Sequence, residues 1–285
     1  MSRICAGIVT YNPSIIRLKE SLQAICSQVE KVYIVDNGSN NTLEMKEAIN
    51  SFSEIEVVYN EDNRGIATAL NQMCSNAYID NYDWILTLDQ DTVCPENIIK
   101  DMLPFTQNSD LGIICPDVNY EGWTKKEKLN KPDTEYVYAC MTSASLTRLV
   151  SWKKVGGFDD GYFIDFVDNE FCMKLSLSGF KVLRVFSCSI NHQLGESREI
   201  SLFGIYTIRY TKHNPIRFYY MSRNNYVFIK KYKKHLPVLK EYCKLMYILV
   251  KGWLFSDNKR ETNKYILMGL RDGRHNKMGK LIIND

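Results

Sequence analysis

Asp89 and Asp91, on either side of Gln90, follow directly on the apolar run Trp84-Ile-Leu-Thr-Leu88. A short run of that composition reads as a buried strand, so both carboxylates stand where the strand ends and solvent begins. Two oxygen ligands there suit a hard divalent cation such as Mn2+ or Mg2+. Such an ion, bridging the oxygens of a diphosphate, stabilises the charge that develops when the diphosphate leaves. The plainer alternative is a solvated turn or helix cap. Repetition weighs against it, because other apolar runs also lead into polar clusters: Thr10-Tyr11-Asn12, Asp36-Asn37-Gly38-Ser39, and Asn63-Arg64-Gly65 with Asn71 beyond.

The elements that would position these clusters alternate in type. Apolar runs at Ile4 to Val9 and Lys31 to Val35 bracket Ile15, Leu18, Leu22 and Ile25 at helical spacing, which gives strand, helix, strand. Ile55 to Tyr59 supplies a third strand, Gly65 to Ala77 a helix, and Trp84 to Leu88 a fourth strand. Such alternation implies an α/β fold with a mainly parallel sheet flanked by helices, its ligands gathering outside the carboxyl ends of the strands. Asn119 to Thr134 is charged and rich in turn formers, and reads as a loop, hairpin or lid between Ile113-Cys115 and Tyr136-Ala139. Gly156-Gly157-Phe158 then leads to a helical pattern from Val167 to Leu177 and a strand from Val182 to Phe186. From about Arg217 the sequence turns helical and basic, dividing the chain into a catalytic domain over 1–216 and a helical region over 217–285.

With 285 residues, 45% of them hydrophobic, the chain is long enough for a sizeable core plus an appendage. A formal charge of +3 argues against a nucleic-acid binder held by bulk electrostatics. Nine cysteines without a C-x-x-C pair, mostly inside apolar runs, read as buried reduced thiols of a cytoplasmic protein. MSRICAGIVTYN enters a strand-like run at once, without the pattern of a signal peptide.

Val9-Thr-Tyr-Asn12, Val35-Asp-Asn-Gly-Ser39, Asn63 through Asn71 and Leu88-Asp-Gln-Asp91 together resemble the family 2 glycosyltransferases, in that family's order and spacing. The resemblance spans roughly residues 1 to 225. It implies the GT-A nucleotide-diphospho-sugar transferase fold. It further implies that Thr10, Tyr11 and Asp36 hold the base, the Asp36 carboxylate accepting from a pyrimidine N–H. Asn12, Asn37, Asn63, Asn71 and Gln90 belong to the same nucleotide site, with Gly65 admitting the backbone to the nucleotide. Asp89 faces ribose or metal, and Asp91 is a metal ligand. Gly156-Gly-Phe-Asp159 and Phe163 to Glu170 resemble the segment in which the family places its catalytic base, although Val167 stands where a glutamate is usual. Asp168 is the matching aspartate and Asp165 the next candidate, either able to take the proton of an attacking hydroxyl; the alternative is a set of acids favouring a helix N-terminus. His192 occupies a position where family members often complete the metal site, and a packed histidine is the alternative.

Several phrases, among them His192-Gln-Leu-Gly195 and Arg217 to Asn224, look most like the rhamnosyltransferase branch, which uses dTDP-L-rhamnose. The expected activity is inverting, metal-dependent transfer to a hydroxyl of a lipid-linked saccharide. A UDP-sugar donor, a nucleotidyltransferase and a membrane-associated sugar-binding scaffold are the rival readings. Arg217 and Arg223 would reach an acceptor phosphate or simply flank a helix. Beyond Asn225, lysines interleave with aromatic and aliphatic residues, a pattern for lying in an anionic membrane interface at the inner face of the plasma membrane. A helix packed on the catalytic domain and a homodimer contact are the alternatives.

Overall fold

The computed structural model describes residues 2–120, 132–192, 197–202, 206–211 and 213–282. Most of the expected lid, residues 121–131, lies outside the described residues. Two compact units emerge, one formed by Met1–Asp160 with Val167–His192, the other by Gly161–Phe166 with Gln193–Asp285.

The first unit runs β1 (Ile4–Thr10), α1 (Ile15–Cys26), β2 (Val32–Asp36), α2 (Thr42–Ile49), β3 (Ile55–Tyr59), α3 (Ile66–Ile79), β4 (Trp84–Asp89), α4 (Ile98–Met102), β5 (Leu111–Tyr120), β6 (Thr134–Val137), β7 (Ser145–Arg148), α5 (Leu149–Lys154), α6 (Val167–Leu177) and β8 (Lys181–His192). Eight strands form one sheet in the order β3-β2-β1-β4-β7-β5-β8-β6. β1 and β2 are buried at every residue, as strands covered on both faces must be. α1 turns Leu18, Leu22 and Ile25 inward and leaves Ile16 in solvent. The strands β3, β2, β1 and β4 are parallel, whereas β7 runs antiparallel between β4 and β5. β1 pairs with β2 on one side and β4 on the other, so the strand order reverses there. A crevice at the carboxyl ends of such strands is where an open α/β sheet binds ligands.

The second unit holds β9 (Ser197–Leu202) and β10 (Tyr206–Thr211), an antiparallel pair, then α7 (Pro215–Tyr232), α8 (Val238–Phe255) and α9 (Lys259–Arg274). Phe218, Ile229, Leu245, Leu249 and Ile266 form its apolar centre. Among the described residues, no helix is long and apolar enough to cross a membrane.

Candidate active site

Register brings the polar strand ends together: Thr10 lies opposite Asp36, and Val9 opposite Asp89. The fully buried Thr10 donates its hydroxyl to Asp36 Oδ1 at 3.0 Å. Asp36 Oδ2 accepts the Ser39 N–H at 3.1 Å, and the Ser39 hydroxyl also bonds to Oδ1. A carboxylate offers about four acceptor positions, so three protein donors leave Asp36 roughly one for a ligand. Asn12, at φ 48°, donates its N–H to Ser39 Oγ and accepts from the Asn40 N–H, both at 2.8 Å. The left-handed conformation is one that asparagine tolerates better than most residues. Tyr11 is 46% exposed, and its N–H donates to Gln90 Oε1 at 2.8 Å, tying the loop after β1 to the turn after β4.

Two of the asparagines are used up within the protein. Buried Asn37 donates to Asn63 Oδ1 and Gly65 O, both at 3.2 Å, and accepts from Asn60 at 3.2 Å and the Arg64 N–H at 3.1 Å. Asn63 Oδ1 also accepts the Gly65 N–H at 2.9 Å, setting the residue that opens α3. Asn71 accepts from Trp152 Nε1 at 3.0 Å and the Phe158 N–H at 2.9 Å, and donates to Phe158 O and Asp160 Oδ1. Gly157, at φ 71°, makes that approach possible, because a Cβ there would stand 2.6 Å from Asn71 Oδ1. With four hydrogen bonds each, Asn37 and Asn71 position loops and have little left to offer a nucleotide.

At the end of β4, Asp89 is half-buried and donates its N–H to Ser143 Oγ at 3.0 Å, while Thr92 Oγ1 lies 2.8 Å from the same hydroxyl. The Thr92 N–H closes the turn onto Asp89 O at 3.1 Å. Asp91 is exposed, and its carbonyl accepts from Arg17 at 3.4 Å. Sequence reasoning did not single out Ser143 or Thr92, both buried; a cue was the hydroxyl-rich stretch Thr142-Ser-Ala-Ser145 before β7. Its Ala144 sits at φ 60°, held by a 2.7 Å bond from its N–H to Thr87 O. Non-glycine residues in that conformation cluster at functional sites.

Asp89 and Asp91 suit a hard cation in donor chemistry: carboxylate oxygens on a turn, with Asp91 open to solvent. No group of three or more metal-binding side chains gathers among the described residues. A pair of carboxylates nevertheless fits Mg2+ or Mn2+, which keep waters and substrate phosphates as their remaining ligands. His192 ends β8 in register with Tyr120, and its side chain lies outside the described residues.

Residues 5–163 match Glycosyl transferase family 2, more than half the chain. The chain belongs to that family. dTDP-rhamnosyl transferase RfbF of Shigella flexneri is 26% identical to this glycosyltransferase over 290 residues, 95% of each chain. Among solved structures, S. aureus TarS 1-349 in complex with UDP-GlcNAc matches with a TM-score of 0.61 at 17% identity, covering 96% of this chain and 81% of that one. The mannosyltransferase PcManGT from Pyrobaculum calidifontis, in complex with GDP-Man and Mn2+, matches with a TM-score of 0.61 at 12% identity, covering 96% and 86%. These likenesses establish the GT-A fold of the glycosyltransferase.

The two candidate bases of the glycosyltransferase have different surroundings. Asp168, in the first turn of α6, lines a cavity of about 370 Å3 with Asp117, Asn169, Arg184, Cys115 and Cys140. Asp165 belongs to the second unit, where Arg217 binds it at 3.0 Å. That unit also holds a larger cavity, about 640 Å3, lined by Phe218, Ile248 and Phe255. Arg223 is fully buried and donates to Gly279 O at 2.6 Å, Gly161 O at 3.2 Å and Tyr162 O at 3.4 Å. This corrects the expectation that Arg223 would reach an acceptor phosphate or flank a helix: its donors are spent on backbone carbonyls and on the Asn224 and Tyr219 side chains.

Proposed function

We propose that the glycosyltransferase moves L-rhamnose from dTDP-L-rhamnose onto a hydroxyl of a lipid-linked saccharide, with inversion at the anomeric carbon. The observation that carries the reading is the alignment of Thr10, Asp36 and Asp89 at the point where the strand order reverses, with Asp91 open beside them. The rhamnosyl donor is supported by the full-length likeness to RfbF. Thr10, Tyr11 and Asp36 hold the base, Tyr11 offering its exposed ring and Asp36 its remaining acceptor position. Asp89 and Asp91 hold Mn2+ or Mg2+, joined by His192. When bound, the cation neutralises charge on the departing diphosphate.

Asp168 takes the proton of the attacking hydroxyl. It is favoured over Asp165 because it lines a cavity of the first unit, which also carries the strand-end cluster, whereas Asp165 belongs to the second unit and is held there in an ion pair with Arg217. A single base with no nucleophile assigned fits direct displacement, hence inversion. The enzyme works at the inner face of the plasma membrane as a peripheral protein.

Calorimetry against dTDP, UDP and GDP, each with Mn2+ and with chelator, tests the site. Metal-dependent binding that favours dTDP is expected, and Asp91→Asn abolishes the dependence. Preference for UDP would move the donor, and no binding to any nucleotide would refute the reading. Asp168→Asn should keep dTDP binding while turnover falls about 10²- to 10⁴-fold, the usual span of a general base. Release of pyrophosphate instead of dTDP would mark a nucleotidyltransferase.

A further inference from the structure

The helical unit is strongly and unevenly charged. Residues 213–282 contain sixteen lysines and arginines against four acids, a formal +12 in a chain whose total is +3. Yet its three long helices differ. α7 buries eleven of its eighteen residues, among them Phe218, Tyr219, Tyr220 and Phe228, and so is a core helix in spite of Lys230 and Lys231 at its end. α8 buries only Leu245 and Leu249, which with Gly252 face α7; a Cβ at Gly252 would collide with the Phe218 ring.

The side of α8 away from that contact is apolar and open. Leu239, Met246, Tyr247, Val250, Trp253 and Leu254 are 42–79% exposed, and at 100° per residue they fall in one strip along the helix. Lys240, Lys244 and Lys251 line one border of the strip. Lys244 is paired with Glu241 at 2.7 Å, and Lys251 lies 5.7 Å from the centre of the Tyr247 ring. At the far end Lys259 lies 5.5 Å from the Trp253 ring, so the exposed indole also has a cation beside it. A soluble surface seldom keeps so many contiguous apolar side chains without a partner.

We propose that α8 is the membrane-docking element: it lies flat in the interface of an anionic bilayer, its apolar strip among the acyl chains and its lysines against the phosphates. The inference rests on the reading of a membrane-bound acceptor and deepens it by naming the helix and its face. Charge complementarity selects the occupant, because a helix with an apolar strip, a basic border and aromatic residues at the boundary fits an anionic lipid surface. Against a second copy's α8, residues 213–282 of the two chains would bring +12 against +12.

The test uses the full chain with extruded vesicles of phosphatidylcholine alone, or mixed with phosphatidylglycerol. Co-sedimentation is expected only with the anionic vesicles, accompanied by a blue shift of Trp253 emission. Lys240→Ala, Lys244→Ala and Lys251→Ala combined should weaken binding by about fivefold per lysine, on the order of a hundredfold in all. Met246→Glu with Val250→Glu should abolish it at any salt concentration, with circular dichroism unchanged because both positions are exposed. Absence of wild-type binding to anionic vesicles, or indifference to both sets of substitutions, overturns the proposal. So does a dimer in sedimentation velocity that the glutamate pair dissolves, since the strip would then be a self-interface. Turnover of a soluble acceptor without vesicle binding would sink this inference alone; vesicle binding without nucleotide binding would sink the catalytic reading alone.

Discussion

Asn224 is the position where one side chain controls a strained segment. It is fully buried on α7, and its Nδ2 donates to Tyr162 O and Ile164 O, both at 2.7 Å, and to Asp165 O at 2.9 Å. Its Oδ1 accepts from Arg223 Nε at 2.8 Å. The segment it grips contains Phe163 at φ 57°, Asp165 at 62° and Phe166 at 66°, each left-handed without being glycine. Such residues cost on the order of 1–3 kcal/mol apiece and persist only when their surroundings over-determine them. Asn224→Ala leaves Tyr162 O its bonds from Arg223 and the Ile164 N–H, but strips the carbonyls of Ile164 and Asp165. Two carbonyls left without donors would cost about 2–6 kcal/mol if fully buried. Both bonds are only partly buried and the loop can relax its strain, so a net loss of about 2–3 kcal/mol is expected in urea unfolding. Asn224→Asp should match it or exceed it, for a carboxylate has no N–H to give. Because residue 166 leads straight into α6 and Asp168, turnover should fall while dTDP binding in the other unit persists. A stability within about 0.5 kcal/mol of wild type, the usual range of an inert surface change, together with unaltered turnover would refute the reasoning.

Asn71→Ala should lower turnover without weakening nucleotide binding, since the amide ties α3 to the Gly156–Asp160 loop; calorimetry alongside initial rates separates the two, and a selective loss of dTDP affinity would contradict it. Burial pushes the Cys94 and Cys188 thiols up to about 12 from an ordinary 9.0. Their folded-state stabilisation is therefore complete below pH 9 and lost as pH rises from 9 to about 12, on the order of 1.4 kcal/mol per pH unit for each thiol. Urea midpoints at pH 8 and pH 10 should show the fall, and Cys94→Ala with Cys188→Ala should shrink it.

The parallel half of the sheet was legible because its strands are continuous apolar runs bracketed by helices of clear period, and β3 falls on the expected Ile55 to Tyr59. β7 was not: Ser145-Leu-Thr-Arg148 is four residues long, and its burial comes from neighbours on either side rather than from its own hydrophobicity. β8 was expected over Val182 to Phe186 and continues to His192, because it pairs with β5 across a register shift at Pro116/Asp117 that no local pattern announces. The strand-end cluster could be named residue by residue from its motifs, yet the division of labour inside it could not. Whether an asparagine faces a ligand or another loop depends on partners far along the chain, as with Asn71 and Phe158. The basic tail shows the same limit. Interleaved lysines and aromatics extend through both α7 and α8, and only packing separates the buried helix from the open one.

That division of labour bears on how a site of this kind is built. Thr10, Asn12, Asn37, Ser39 and Asn63 bond to Asp36, to one another and to the backbone and side chains of the loops after β1, β2 and β3, and Gln90 ties in the turn after β4. Every such bond closes inside the protein, which fixes the strand-end backbone before any ligand arrives and lowers the ordering cost of binding. The groups left most open are the Tyr11 ring and the Asp91 carboxylate, one suited to a base and the other to a cation. A motif residue can therefore be indispensable for two opposite reasons. For Asn37 the damage of substitution should spread through the loops it joins, whereas for Asp91, on the assignment proposed above, it should be confined to the ligand, and the difference follows from where each side chain's hydrogen bonds already go.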